Sequence, residues 1–442
     1  MEVEMIQIFN KITEAGGYPL IVGGYVRDTL LGLSPKDVDV EVYRIDANKL
    51  ESILSTFGKV DSVGKSFGIL KLNFEGKILD FSLPRRESKS GAGHTGFQVE
   101  VDPTMTVKEA AARRDFTINS LAVNPLTDEV LDYYGGMDDL HFRVLKHTSP
   151  AFSEDPLRVL RGMQFCSRFN LVPTGETLQL CRDLAPTYSE LAKERVYEEF
   201  KKWSLSAYPS KGLEFLRHCG WLSHFHILED IKWCAQDPVW HPEPGGVFGH
   251  TQCVCDEAAL IAMREGFTKE ETSNLLFAAL LHDVGKPSTT FTKNGRIVSP
   301  GHDVAGEALA ASWMESLNFP HQSAHEIKTL VRTHMVHCGG VSARKARRLI
   351  HRVKPNFKLL WALIEADHSG RPPLPKSFPQ SAASLKELVD AQDVREPLVK
   401  GRHLLELGWE AGPSMGKELK RLFELQIEEG LGFDQLINDV KN

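Results

Sequence analysis

Polar and apolar residues alternate strictly over DVDVEV, residues 37–42. A period of two is that of a half-buried β-strand, and it sets Asp37 and Asp39 on the same side of it. Just upstream, LIVGGYVRDTLLG reads as a strand that enters a tight turn at Gly23–Gly24 and leaves as a helix. VGKSFGILKLNF and KILDFSLPR repeat the strand signal, the second carrying Asp80. ESKSGAGHTGF, residues 87–97, is Gly/Ser-rich and predicts a mobile loop interrupting the sheet. From SPAFSEDPLRVLRGMQF onward the period is helical, with Ser153 and Asp155 placed to cap the first helix. Helices are expected over 155–225, a linker at DPVWHPEPGGVFGH (237–250), and a His-rich helical block to about 370. PPLPKSFP (372–379) makes a further break before a helical tail. The pattern predicts an α+β fold: an α/β head over 1–145, a helical neck over 146–236, a His-rich helical domain over 237–371 and a tail over 372–442.

A chain of 442 residues is long enough for two to four domains. Hydrophobic residues at 42% and charged residues at 25% fit an ordinary soluble protein. MEVEMIQIFNKITEAGG lacks the basic-then-apolar order of a secretory signal, and runs such as LLFAALL are too short to cross a bilayer. Seven scattered cysteines with no CxxC pair point to a reducing cytoplasm, and Cys253-x-Cys255 is too close for usual zinc spacing. A net charge of −7 does not mark a nucleic-acid binder. Basic residues nonetheless cluster at Arg85, Arg86 and Lys89, at Arg113–Arg114, at Arg158, Arg161 and Arg168, and at Arg344–Arg352.

Like charges at Asp37 and Asp39 repel unless a cation lies between them, and oxygen-only ligands suit Mg²⁺. Asp80, on another alternating strand, is a candidate third acid. The Gly23–Gly24 turn offers backbone N–H groups to an anion. Phosphate cradle and metal clamp within twenty residues point to nucleotidyl transfer. AARRDFTINSLAVNP predicts a short helix bearing Arg113, Arg114, Asp115 and Asn119, with 115 and 119 on one face. In EDPLRVLR, Asp155 and Arg158 stand three apart on a predicted helix and can face one planar base. Carboxylate accepts from an amino group and guanidinium donates to a ring nitrogen, the order shared by cytosine and adenine. An intrahelical ion pair is the competing reading of these two residues.

GGYVRD, KDVDV, RRESKSGAGHTGF, RRDFTINSLA, DYYGGMDDL, SPAFSEDPLRVLR and KERVYEEF occur in the order seen in bacterial class II CCA-adding enzymes, which the chain resembles. Those tRNA nucleotidyltransferases share a head with bacterial poly(A) polymerases, in the DNA polymerase β-like superfamily. The resemblance implies that Gly24 and Arg27 contact triphosphate, that Asp37 and Asp39 hold Mg²⁺, and that Arg114 and Arg161 contact nucleotide. It further implies that Asp155 and Arg158 read the base, that residues 85–97 help switch from C to A, and that DYYGGMDDL couples head and neck movements. One departure is plain: relatives carry a third arginine where this chain has Gln164, which keeps hydrogen-bond donors but loses charge for phosphate.

His250, then His282–Asp283 in LLHDVGKP, then Asp367 in EADHSGR form an H…HD…D series suited to Mn, Fe, Co, Ni or Zn. The series resembles HD-domain phosphohydrolases, a domain present in one branch of CCA-adding enzymes, where it lends phosphatase and cyclic phosphodiesterase activities. WHPEPGGVFGHT resembles the segment carrying the first ligand, and His302 with His334 or His337 can complete a binuclear site. SARKARRLIHRVK (342–354) is amphipathic at helical spacing, with Ala346, Leu349, Ile350 and Val353 inward and a basic face open to tRNA or to solvent.

The expected activity is addition of C and A residues to the 3′ end of tRNA from CTP and ATP with Mg²⁺. Two rivals stand beside it: an A-adding or poly(A) polymerase with the same chemistry, and an HD phosphohydrolase whose head only binds RNA.

Overall fold

The computed structural model describes all residues except 1–2, 36, 62–67, 90–96, 354–356, 393–395 and 442. The chain forms two compact units, Met1–Trp203 with Lys211–Trp221, and Ser204–Ser210 with Leu222–Asn442.

The first unit opens with α1 (Val3–Glu14), β1 (Tyr18–Val22), α2 (Gly24–Leu30), β2 (Val38–Tyr43) and α3 (Ala47–Leu54). β3 (Lys59–Asp61), β4 (Ile69–Phe74) and β5 (Lys77–Ser82) follow, then a separate hairpin of β6 (Arg85–Lys89) and β7 (Phe97–Val101). Residues 90–96, the centre of the expected loop, lie outside the described residues. After α4 (Val107–Ala112) come the short strands β8 (Ala122–Val123) and β9 (Val130–Leu131). The main sheet has the order β3-β4-β5-β2-β1-β8-β9, with β2 and β5 parallel and the other neighbours antiparallel.

Strand alternation decides which face each side chain takes. Val40 and Val42 of β2 and Leu79 and Phe81 of β5 are buried in one core with Ile8, Phe9 and Ile12 of α1 and Leu50 and Leu54 of α3. Asp39, Glu41 and Asp80 therefore emerge on the opposite face, where Leu20, Val22 and Tyr43 form a smaller cluster. α5 (Gly136–His141), β10 (Val144–Leu145), α6 (Leu157–Phe169), β11 (Val172–Pro173), α7 (Gly175–Asp183), α8 (Lys193–Ser204) and α9 (Pro209–His218) continue the chain.

The second unit is helical: α10 (His226–Ile231), α11 (Gly246–Arg264), α12 (Lys269–Leu281), α13 (Lys286–Thr289), α14 (His302–Ser316), α15 (His321–Thr333), α16 (Ala343–Val353) and α17 (Phe357–Ser369). Every residue of α12 from Ser273 to Leu281 is buried, so the helix is wrapped on all sides, by α11, α15 and α17 among others. α16 buries Ala346, Leu349, Ile350 and Val353, the four positions its spacing predicts. α18 (Gln380–Asp390), α19 (Gly401–Glu406), α20 (Pro413–Glu429) and α21 (Phe433–Lys441) form the tail, with a small core of Leu404, Met415, Leu422 and Leu436.

Three expectations need correcting. The segment from Arg113 to Asn119 is not a helix: α4 stops at Ala112, Phe116 is extended and bridges to His147, and only Thr117–Asn119 turns, as 3-10. The segment 237–250 is more than a linker, because it begins α11 and lays His241 and Glu243 beside His250. The His-rich block also contains a hairpin, β12 (Phe291–Lys293) and β13 (Arg296–Val298), whose Asn294–Gly295 turn has φ of 52° and 74°.

Candidate functional site

In the first unit, β2 and β5 place Asp39 directly beside Asp80 in the parallel register. Burial, then Asp80, raises the Asp39 carboxyl above its usual range, while Arg114 works the other way. Asp80 Oδ1 is buried without a hydrogen-bond partner, and Asp80 Oδ2 lies 3.3 Å from Lys71 Nζ. Asp37 stands exposed immediately before β2 and adds to the repulsion on Asp39. Two acids paired across neighbouring strands, one with an orphaned oxygen, favour a divalent cation.

The glycine turn lies next to two guanidinium groups. Gly23 has φ +69°, and a Cβ there would stand 2.9 Å from Arg114 Nη1; one on Gly24 would stand 3.5 Å from Arg27 Nη2. The Gly23 N–H itself donates to Leu121 O, so it is not open to an anion, contrary to the simplest reading of the turn. Arg27 is 5% exposed and donates to Asp28 and Asn119, with its guanidinium 4.7 Å from the Phe169 ring. Asp115 gathers Asn119 Nδ2 at 2.9 Å, Arg161 Nε at 2.7 Å and the Phe116 N–H at 2.8 Å. Burial works against this carboxylate, but Arg161 and the hydrogen bonds outweigh it and hold its pKa below the usual range. The meeting of 115 and 119 thus survives without the helix that suggested it.

Asp155 and Arg158 are arranged differently from expectation. Asp155 precedes α6; its Oδ1 accepts from the Leu157 N–H, and its Oδ2 takes Arg195 at 3.0 Å. Arg158 donates to Ala151 O and Arg113 O at 2.7 and 2.6 Å. They form neither the intrahelical ion pair nor a free pair of base-reading groups. Gln164 is buried on α6.

Residues not singled out from sequence complete this centre. Glu41, 2% exposed, takes the Tyr43 hydroxyl at 2.8 Å and both Arg113 and Arg114 at 3.4 Å. Its signal was available: it is the third polar position of DVDVE, on the same face as Asp39. Asp28 bridges Arg27 to Arg168.

The second unit brings its expected residues into one buried cluster. His250 Nε2 lies 3.0 Å from Asp367 Oδ1 and 3.8 Å from Asp283 Oδ2. His282 Nε2 lies 3.2 Å from Asp283 Oδ2 and 4.0 Å from Asp367 Oδ1. His302 and His334 join them, His302 Nε2 standing 3.4 Å from Asp283 Oδ1 and 3.1 Å from His334 Nε2. His337 instead meets Ser381 through Nδ1. Gly285 allows this approach, since a Cβ there would fall 2.1 Å from His302 O.

Orientation of the rings is informative. Nδ1 of His282, His302 and His334 contacts Ala279 O, Ser299 O and Val331 O at 2.8, 2.7 and 2.6 Å. A carbonyl only accepts, so each Nδ1 carries a proton and each Nε2 is the ring nitrogen turned inward. The His282 Nε2 is buried without a hydrogen-bond partner, and the Nε2 atoms of His302 and His334 face each other at 3.1 Å. Imidazole nitrogens beside two carboxylates fit a metal ion, with backbone carbonyls orienting the ligands. Burial and the neighbouring His302 and His282 push His334 down to about 3. Burial would lower His250 as well, but Asp367 and Glu243 outweigh it and hold the ring up to about 9. His241, Glu243 and His250 make a third group able to hold a cation, and Lys286 Nζ reaches Asp283 Oδ2 at 2.6 Å.

Three families match along the chain: Poly A polymerase head domain over residues 19–146, probable RNA and SrmB-binding site of polymerase A over 171–231, and HD domain over 247–364. The Multifunctional CCA protein of Xanthomonas campestris pv. campestris is 36% identical over 324 residues, covering 71% of this chain and 74% of its own. That of Pasteurella multocida is 34% identical over 367 residues, covering 79% and 83%. Among solved structures, the Bacillus stearothermophilus CCA-adding enzyme in complex with CTP superposes with TM-score 0.64 at 17% identity, covering 100% of this chain and 98% of that one. The Thermotoga maritima CCA-adding enzyme complexed with tRNA gives 0.62 at 17%, covering 100% and 96%. At such identity the structures speak for the fold. No helix among the described residues is long and apolar enough to cross a membrane.

Proposed function

The chain belongs to the family of multifunctional CCA proteins, and from that membership we propose that its first unit adds C and A residues to the 3′ end of tRNA from CTP and ATP. The terminal ribose hydroxyl attacks the α-phosphorus; its proton leaves, the bond to the β-phosphate oxygen breaks, and pyrophosphate departs. Asp37, Asp39 and Asp80 would hold Mg²⁺, which when bound neutralises phosphate charge and favours the ionised hydroxyl. Arg27 and Arg114, at the glycine turn, bind the triphosphate, while Glu41 fixes Arg114 and Asp115 fixes Arg161. Asp155 and Arg158 select the base, Arg158 exchanging a carbonyl partner for the ring nitrogen. The placement of Asp39 beside Asp80, on the face that also carries Glu41 and its two arginines, is the observation that carries this reading. Incubation with tRNA lacking CCA and labelled CTP or ATP tests it: addition of two C and one A is expected. Extension of tRNA ending in CC by ATP alone would instead indicate an A-adding enzyme.

The second unit we assign as a metal-dependent phosphohydrolase. His250, His282, Asp283 and Asp367, with His302 and His334, would hold one or two ions of the Mn, Fe, Co, Ni or Zn type, which when bound supply a hydroxide nucleophile at neutral pH. Asp283 and Lys286 hold each other in place, and Lys286 offers positive charge to a phosphate. Free thiols at all seven cysteines suit a cytoplasmic setting. Loss of phosphatase activity on chelation, with recovery on adding back one of these metals, is the expected result.

A further inference from the structure

In the second unit, α16, α20 and the turn that follows α15 enclose a cavity of about 790 Å³. Asp303 and Thr333, the neighbours of His302 and His334 in sequence, line it, but neither imidazole does, so it is separate from the metal-binding cluster. Two helix stripes make its walls. Lys345, Arg348, Leu349 and Arg352 recur at i, i+3, i+4 and i+7 along α16, and Lys420, Phe423, Glu424 and Ile427 do the same along α20. Leu349 and Ile427 are buried, and Phe423 meets the His351 ring edge-on at 5.2 Å, so an apolar floor lies between charged rims. The basic face of α16, open to tRNA or to solvent on sequence grounds, is largely engaged within the chain. Arg344 and Arg348 close on the Glu428 carboxylate, each through Nε and Nη2, and Arg347 donates to Ile427 O at 2.8 Å and Glu428 O at 3.2 Å. Arg332 is likewise matched by Asp303 and Glu307. Lys345, Arg352 and Lys420 remain, facing Glu424. Lys345 Nζ donates to the carbonyls of Cys338 and Gly340 at 2.7 and 2.9 Å, which do not neutralise it. Among the described residues Arg352, Lys420 and Glu424 have no ion-pair partner. Three cations against one carboxylate leave the cavity positively charged.

We propose that this cavity is a binding site for a small organic phosphate, whose dianion is held by Lys345, Arg352 and Lys420 and whose apolar body rests on Leu349, Phe423 and Ile427. Unbalanced positive charge at the rim calls for an anion, and a phosphate monoester carries close to two negative charges at neutral pH. The apolar floor calls for more than a bare ion, because its surface is removed from water only by an apolar group. Glu428 shows the recognition chemistry in place: an oxyanion already sits in a fork of two guanidinium groups one turn along α20 from Glu424. A cavity walled by two helices and a turn suits a small molecule, whereas a polynucleotide strand follows an open groove.

Calorimetric titration of chelator-treated full-length protein with phenyl phosphate, and in parallel with inorganic phosphate, tests the site. Phenyl phosphate should bind saturably and more tightly than inorganic phosphate. Arg352→Ala combined with Lys420→Ala should weaken both by about tenfold or more. Phe423→Ala should weaken phenyl phosphate and leave inorganic phosphate within about twofold, because it removes floor and no charge. Glu424→Gln removes the opposing carboxylate and should tighten both. Arg352, Lys420 and Glu424 are exposed, so these substitutions leave the fold intact. A wild type without saturable binding, or a double variant that binds phenyl phosphate as tightly as the wild type, overturns the proposal. In the second case, weakened binding of tRNA by the same double variant would assign the cations to an RNA backbone instead.

Discussion

Asp39 stands on an open sheet face beside Asp80, whereas Asp283 is 2% exposed inside a shell of imidazoles. The two centres both depend on carboxylates that favour a cation, but they are assembled in opposite ways. Around Asp39 the acids repel, one oxygen lacks a partner, and the arginines of the site are already held by Glu41, Asp28 and Asp115. Such a site would be completed by a cation arriving with a triphosphate. Around Asp283 the rings of His282, His302 and His334 are each oriented by a backbone carbonyl, with Nε2 turned inward. That construction suits a resident ion, and the contrast implies that the two centres can be disabled separately.

Asp283→Ala should break this comparison most sharply. Phosphatase activity should fall at least about 10²-fold and bound metal per protein should drop, while nucleotide incorporation stays within about twofold. Arg114→Ala should reduce kcat/KM for CTP and ATP by about 10- to 100-fold. Glu41→Gln, which loosens Arg114 without removing it, should cost less and act mainly through KM. Asp115→Asn removes the charge paired with the half-buried Arg161 and should lower stability by about 1–2 kcal/mol in chemical denaturation. The folded pKa of Asp115 is depressed, so its contribution is present above the ordinary carboxylate value, about 4, and is lost as pH falls through the folded value. The stability difference between wild type and Asp115→Asn should therefore shrink in acid; a constant difference would show that the pair does not titrate as described.

How much of this was legible in the sequence differs between the two regions as well. Period-two alternation found β2 and the face of Asp39, and helical spacing found the four inward residues of α16, because burial on one side leaves a periodic mark. The arginine segment after Ala112 was misread as a helix. Its short spacing is compatible with several turns, and only the pairing of Phe116 with His147, far along the chain, decides among them. Composition misled over 237–250: proline and glycine serve a linker and an ordered cradle equally well, and nothing local says that Glu243 will reach His250 Nδ1 at 3.1 Å. The Asn294–Gly295 pair is a hairpin signal in its own right, masked by the helical periodicity on both sides of it. Asp155 and Arg158 stand apart because their partners, Arg195 and the Arg113 carbonyl, lie 40 and 45 residues away.

The central claim is that Asp39 and its neighbours carry nucleotidyl transfer independently of the histidine cluster. Asp39→Asn protein, given tRNA without CCA, labelled CTP, ATP and Mg²⁺, tests this directly, with phosphatase activity measured on the same preparation. The account predicts incorporation lowered at least about 10²-fold and phosphatase activity within twofold of wild type. Incorporation at the wild-type rate, with the substituted protein folded and its phosphatase intact, would contradict it.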